Sequence, residues 1–521
     1  MTQSPLSPEA ALLTLKERLR EVASLRAVRS LLYWDQTTYL PERASDSRSE
    51  QLALIDKIQH ERATSDEIGS LLHTALPLLK TLHPDSDEAR LLAVAAEDYA
   101  RNTKVPASFL AKFSAASSLA FDAWKKAREA NEFSLAEPHL EKVLELSREY
   151  ATYLRDSTPP AEGVTETEAM MDALIETVDP GFSVAKLGPL FTELRLKLVP
   201  LFDEVVRSQP FDNACVRQDF DVDKQFQFGK TVVRAFGYDF ERGRQDLAPH
   251  PFMIRLGSSD VRITTRVKEG DLTEALFSTI HEAGHALYEL GVDDALLGGP
   301  LGRGASSGVH ESQSRLWENI VARGIPFWEH FYPQLQSLFP TQLGKVPLKI
   351  FHRAINRVER SLIRADADEL SYNLHVMIRF DLELELLAGK LRVKDLPEAW
   401  NERYRQDLGI VPSHLSEGVL QDPHWFTGQI GGRFQGYTIG NVLSAQLYAT
   451  ALKAMPDLET KIADGEFHYL REWLRDNLHR HGRKFQGDDL ITRATGKPLS
   501  ASDYVAYLDQ KYRDLIATGA S

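Results

Sequence analysis

Apolar residues recur at spacings of three and four along most of this chain, the period of an amphipathic α-helix. Ser7-Pro8-Glu9 reads as an N-cap with proline in the first turn, and Leu12, Leu15, Leu19 and Val22 then share one face. The same period runs through 88–101, 140–154, 185–206, 225–236, 360–388, 439–454 and 465–479. Asp179-Pro180-Gly181 and Ser157-Thr158-Pro159-Pro160 are breakers of the loop type, neither long enough to mark a domain linker. One stretch departs from the pattern. From 251 to 267 the residues are β-prone, with a turn at Gly257-Ser258-Ser259-Asp260 between 252–256 and 261–267, which predicts a hairpin or two strands of a small sheet. The expected architecture is mostly α with a small sheet.

At 521 residues the chain is about twice the size at which a single core stops growing. It shows no internal repeat and no low-complexity segment, so it reads as one unit, 1–521, without an internal boundary. The 61 Lys and Arg against 75 Asp and Glu give a net charge of −14, which disfavours nucleic acid and anionic membranes as general partners. There is one cysteine, Cys215, so no intramolecular disulfide forms. No signal segment and no run of about 18 apolar residues is evident. A cytoplasmic protein is expected.

The chemistry concentrates in His281-Glu282-Ala283-Gly284-His285. Four-residue spacing places both imidazoles on one helix face about a turn apart, able to hold a metal between them. Glu282 is rotated about 100° from His281 and faces the open side of the metal, where it would act on bound water. After a glycine-rich loop, 298–304, comes His310-Glu311-Ser312-Gln313, then Glu318. Glu311, His310 and Glu318 are the nearest candidates for a third ligand. Glu318 lies seven residues beyond Glu311, on about the same face, and suits a hydrogen bond to a ligand. His310 is expected to point elsewhere. A di-iron bundle would want a second Glu-x-x-His motif, and there is none. Gly229-Lys230-Thr231 is not a phosphate loop, because Lys224 stands where that pattern needs glycine.

Six segments in order resemble the carboxypeptidase Taq family of zinc metallocarboxypeptidases. They are Leu32-Tyr33-Trp34-Asp35-Gln36-Thr37-Thr38-Tyr39-Leu40-Pro41 (with Leu40 where the family more often has Met), Asp260-Val261-Arg262-Ile263-Thr264, the histidine motif, His310-Glu311-Ser312-Gln313, Ile363-Arg364-Ala365-Asp366-Ala367-Asp368, and 418–425 with its Gln421-Asp422-Pro423-His424-Trp425. The resemblance covers nearly the whole chain. It implies an elongated, mostly helical homodimer with a deep central groove, and a small sheet beside the zinc helix. It implies Glu311 as third ligand beside His281 and His285, zinc or cobalt as the metal, and a site region at about 250–440. The implied reaction is release of single C-terminal residues from peptides with broad specificity. The segment 431–438 departs from the more aromatic, proline-containing stretch of many members.

On that reading Glu282 is the general base. His424 and Tyr437 are candidates to stabilise the oxyanion, by similarity to the His and Tyr of other zinc peptidases. A free C-terminal carboxylate wants a guanidinium fork, and Arg364 is the choice, with Arg262 and Arg433 as rivals. Asp260 and Thr264 are expected to shape a strand whose edge pairs with substrate backbone. Trp34 and Trp425 read as core or groove wall. The same zinc chemistry would also serve an endopeptidase or a dipeptidase. A non-catalytic metal- or peptide-binding protein is the remote alternative.

Overall fold

The structure, a computed structural model, describes residues 6–155, 160–208, 212–257 and 259–517. The expected breaker at Ser157-Thr158-Pro159 and the turn residue Ser258 lie outside them.

Helices form where the apolar period predicts them. The first runs Pro8–Thr38, with the Ser7 hydroxyl accepting the Ala10 N–H and proline in the first turn. Proline costs nothing there, since its missing N–H belongs to a group left unpaired at every helix start. Its Ala11, Leu12 and Leu15 meet Ile68, Leu71 and Leu72 of helix Asp66–Ala75 and Leu92 of helix Asp87–Lys104 in a small core of their own. The main core is separate and spans Ala120 to Leu515. Val94, packed with Val292, Leu296 and Leu301, joins the N-terminal helices to the loop that follows the histidine motif. Among the described residues no helix is long and apolar enough to cross a membrane.

The sheet has three strands: β1 (Gln245–Leu247), β2 (Met253–Gly257) and β3 (Asp260–Thr265). Their order is β1-β3-β2. β2 and β3 form the expected antiparallel hairpin, with Met253 opposite Ile263, while β1 adds a parallel partner that three residues of sequence do not announce. Val261 and Ile263 are fully buried against the helical core.

The sheet leads directly into helix Leu272–Gly291, the histidine helix, which packs against β2, β3, helix Val222–Phe236 and helix Ser307–Arg315. Leu272, Ala275, Leu276, Ile280, Ala283 and Leu287 form its buried stripe. Helix Ser307–Arg315, the glutamate helix, continues into a wide π-helical turn, Leu316–Val321, and lies along helix Gln435–Ala454. Gly229-Lys230-Thr231 falls inside helix Val222–Phe236.

Two expected helices are corrected. Residues 360–371 are not regular helix; the helix begins at Tyr372 and ends at Leu387. Half-buried Asp368 accepts the N–H groups of Leu370 and Ser371 at 3.0 Å and of Glu359 at 3.3 Å, folding the preceding chain back. The Arg364 N–H goes to the Gln421 side chain at 2.8 Å instead of a helical carbonyl. The segment 465–479 holds a shorter helix, His468–Asn477, entered from Gly465 at φ +83°.

Candidate metal centre

His281, His285 and Glu311 bring one ligand atom each within 4.8 Å of one another. Nε2 of His281 is 3.7 Å from Oε2 of Glu311, and Nε2 of His285 is 3.5 Å from the same oxygen. Donors about 3.3 Å apart form the edges of a tetrahedron with bonds of about 2.0–2.1 Å, so the spacing suits a small divalent ion. Each ligand has its other polar atom committed. His281 Nδ1 donates to Glu318 at 2.8 Å. His285 Nδ1 faces the His310 carbonyl oxygen at 3.0 Å and the His310 ring Nδ1 at 2.7 Å. Arg315 Nε donates to Glu311 Oε1 at 2.7 Å, leaving Oε2 for the metal. Three free lone pairs thus converge, which is what a two-imidazole, one-carboxylate site requires.

Charge around the triad is balanced by half-buried arginines. Burial would raise Glu318, but Arg315, His281 and Arg323 overcome it and hold the carboxyl at about 2. Glu289 is also held at about 2, with His310 and Arg255 outweighing burial. Burial, then the neighbours His310 and His281, push His285 far below the ordinary imidazole range, so it is neutral.

Glu282 follows His281 on the same helix but faces an adjoining cavity of about 620 Å³, whose lining includes the triad, Phe252, Met253 and Tyr437. Burial, reinforced by Glu311 and Glu318, pushes its carboxyl up to about 7. A group poised there is suited to taking and returning a proton near neutral pH.

Tyr437 is set on helix Gln435–Ala454 and reaches the cavity; its phenol is pushed up to about 12 by burial and neighbouring Tyr372. His424 stands behind it, with Nε2 3.2 Å from the Tyr437 hydroxyl. Nδ1 of His424 donates to Asp422 at 2.5 Å. Burial lowers His424 despite Asp422, which leaves its Nε2 free to accept a hydrogen bond from the Tyr437 hydroxyl. Asp422 also receives Arg364 Nε at 2.7 Å and Nη2 at 3.3 Å, while Arg364 Nη1 donates to Tyr372 at 2.8 Å. The Arg364 guanidinium lies 5.2 Å from the Tyr437 ring centre.

The chain as a whole is similar to known proteins. Residues 14–512 match the model of the carboxypeptidase Taq (M32) metallopeptidase family. The chain belongs to this family. It is 40% identical to thermostable carboxypeptidase 1 of Thermus thermophilus over 98% of this chain and 100% of that one. Carboxypeptidase 1 of Bacillus subtilis is 35% identical over 95% of this chain and 97% of its own. The crystal structure of the M32 carboxypeptidase from Deinococcus radiodurans superposes with a TM-score of 0.93 at 48% identity, covering 97% of this chain and 99% of that one. The protein is therefore a metallocarboxypeptidase, a hydrolase that acts on peptides and works with a divalent metal.

Arg364 and His424 do not line the cavity themselves, and neither do Asp260, Arg262, Thr264, Trp34 and Trp425. Asp260 and Arg262 bond each other, Nε and Nη2 of Arg262 both 2.8 Å from the carboxylate, and Arg262 stacks 4.2 Å from the centre of the Trp34 ring. Neither lines the cavity. Thr264 is fully buried, accepting the Phe252 N–H at 2.9 Å and donating to its carbonyl at 3.2 Å, so it fixes the start of β2 beside Glu282. Trp34 and Trp425 are core residues, Trp425 donating to Glu383 at 2.8 Å. His310, expected to point elsewhere, instead lies against the ligand His285 and lines the cavity, while the roles of Glu289, Arg315 and Asp179 escaped the sequence reading. Glu289, one turn beyond His285, and His310 form a buried chain behind that ligand, with His310 Nε2 3.0 Å from Glu289. Arg315, at i+4 from Glu311, was legible as an ion pair. Asp179, in the expected breaker, accepts the Gly308 N–H at 2.6 Å and the Gln435 amide at 2.9 Å, tying together the glutamate helix and the Tyr437 helix through contacts 129 and 256 residues further along the chain. Nothing local signals that contact.

Proposed function

We propose that this chain is a zinc-dependent carboxypeptidase releasing single C-terminal residues with broad specificity, with Glu282 as general base. The observation that carries this is the convergence of His281, His285 and Glu311 beside Glu282 in one cavity. Two neutral imidazoles and one carboxylate favour zinc, with cobalt able to take the same site. When bound, the metal supplies Lewis acidity to the scissile carbonyl and to the attacking water. Glu282 takes the proton from that water and returns it to the leaving amine. Tyr437, protonated at all working pH values, swings its hydroxyl from His424 to the oxygen on which negative charge develops. His424 and Asp422 hold the phenol in position until then. Arg364 spends three of its five N–H groups on Asp422 and Tyr372 and keeps two for a substrate carboxylate.

The family resemblance also implies a homodimer with a deep groove. The lone Cys215 suits a cytoplasmic setting. Mass spectrometry of a digested peptide and its C-terminal amide tests the reading. The free peptide is expected to yield a ladder of single-residue losses while the amide resists. Arg364→Ala should raise KM for the free peptide by about tenfold or more and leave the amide unchanged. Internal fragments from both peptides would contradict the assignment.

A further inference from the structure

The metal cavity is lined by guanidinium groups that the reaction above does not use. Arg101, Arg303 and Arg483 line it. They come from three segments: helix Asp87–Lys104, the glycine-rich loop after the histidine helix, and the loop after His481. Arg26, on the first helix, adds a positive charge within electrostatic range of Arg483 and Arg255. The carboxylates nearby are already committed. Asp98 is bridged by Arg483, with Nη2 to Oδ1 at 2.8 Å, and by Arg101. Glu289 receives Arg255, His310 and the Gly304 N–H, each at 3.0 Å. Glu176, near Arg101, accepts the Gly181 N–H at 3.1 Å. Arg303 is left over. Its Nε is buried without a hydrogen-bond partner among the described residues, and it forms no ion pair there. Burial, with Arg26 and Arg483 adding repulsion, pushes it down to about 9. The half-buried guanidinium thus leaves its Nε unsatisfied and turns its remaining donors, which no carboxylate among the described residues takes, to the cavity, where an anion would complete them.

Its route of contact to the triad differs from that of Arg364. Arg364 reaches the metal site through Tyr372 and Arg315, the latter bonded to Glu311 and Glu318, on the side of His281. Arg303 reaches it through the adjoining Gly304, Glu289 and His310, on the side of His285. A reader of the terminal carboxylate must lie within one residue, about 3.5 Å of extended chain, beyond the scissile carbonyl. The opposite side therefore receives residues before the bond. Pro251, Phe252 and Met253, at the start of the outer strand β2, line that same cavity, and Arg255 on β2 bonds the Gly302 carbonyl next to Arg303.

We propose that Arg303, supported by Arg101 and Arg483, forms a carboxylate subsite for an acidic side chain on the N-terminal side of the scissile bond. This rests on the carboxypeptidase reading with Arg364 at the terminal carboxylate. The test uses full-length, metal-loaded enzyme and N-acetylated pentapeptides that differ by Glu, Gln or Lys at the second or third residue from the C-terminus. At one of these positions kcat/KM is expected to favour Glu over Gln by about tenfold or more in the wild type, and Arg303→Gln should bring that ratio to within about twofold of unity. Arg101→Gln, which leaves Asp98 paired with Arg483, is a second variant and should reduce the ratio in the same direction. No Glu preference in the wild type, or one that survives Arg303→Gln, overturns the subsite. Loss of discrimination between free and amidated C-termini in Arg303→Gln would also overturn it, by making Arg303 the reader of the terminal carboxylate. Absence of single-residue release from every peptide would instead strike the carboxypeptidase reading itself.

Discussion

At the scale of single residues, the centre is held by side chains that each satisfy one neighbour and leave one atom free. His281 gives its Nδ1 proton to Glu318, and Glu311 gives one oxygen to Arg315. Such arrangements are costly to bury and strongly ordered once complete. Glu383 shows the cost where completion is partial. It is fully buried on helix Tyr372–Leu387, accepts from Trp425, and is pushed up to about 7 by burial against the pull of Trp425 and Arg433. Its folded value lies above the ordinary 4.5, so the folded state holds a proton that the unfolded chain releases between these values. Stability from this group is present below about 4.5 and is lost as pH rises through about 7. Glu383→Gln removes the titration. Its stability advantage over the wild type should grow between pH 5 and pH 8 to about 3 kcal/mol, measured by denaturant unfolding at both pH values. A difference that does not change with pH would refute the buried-proton account. The sequence revealed the residues that are close in the chain: Glu318 from its spacing to Glu311, and both histidines from theirs. Glu289 and Asp179 act through partners further along the chain that no local pattern encodes, and His310 was noticed in sequence but its contact with His285 was not.

At the scale of elements, two helices must approach closely for the triad to form. Gly284, between Glu282 and His285, makes that approach. A Cβ there would lie 2.5 Å from the Gln313 carbonyl oxygen and 2.7 Å from Ser314 Cα, both backbone atoms of the glutamate helix. Gly284→Ala is expected to cost about 1–3 kcal/mol of stability and to weaken metal retention, read by thermal unfolding and by competition with a chelator. An unchanged midpoint with full metal affinity would show that the helices are not held at this distance. The histidine helix and the β2–β3 hairpin were legible because period and turn chemistry act locally. The segment 360–371 was misread because its apolar spacing is helical, while half-buried Asp368 and the Gln421 side chain take the backbone N–H groups that a helix would have used.

At the scale of the whole molecule, the small N-terminal core and the large helical core meet next to the cavity. The Arg101-bearing helix and the glycine-rich loop belong to that junction. The family match covers almost the full chain, which agrees with a site assembled from residues as far apart as Arg101 and Arg483. The mostly helical architecture and the family were readable from motif order. The arginine-lined end of the cavity was not, because its members come from segments that carry no motif. On the proposed reading the triad holds the metal while Glu282 moves the proton. This is tested most directly by measuring metal content and turnover together in full-length wild type and Glu282→Gln. Both proteins are expected to bind about one metal ion per chain, while kcat on a free peptide falls by about 10²–10⁴-fold in the variant. Turnover near the wild-type level, or loss of metal together with activity, would contradict the account.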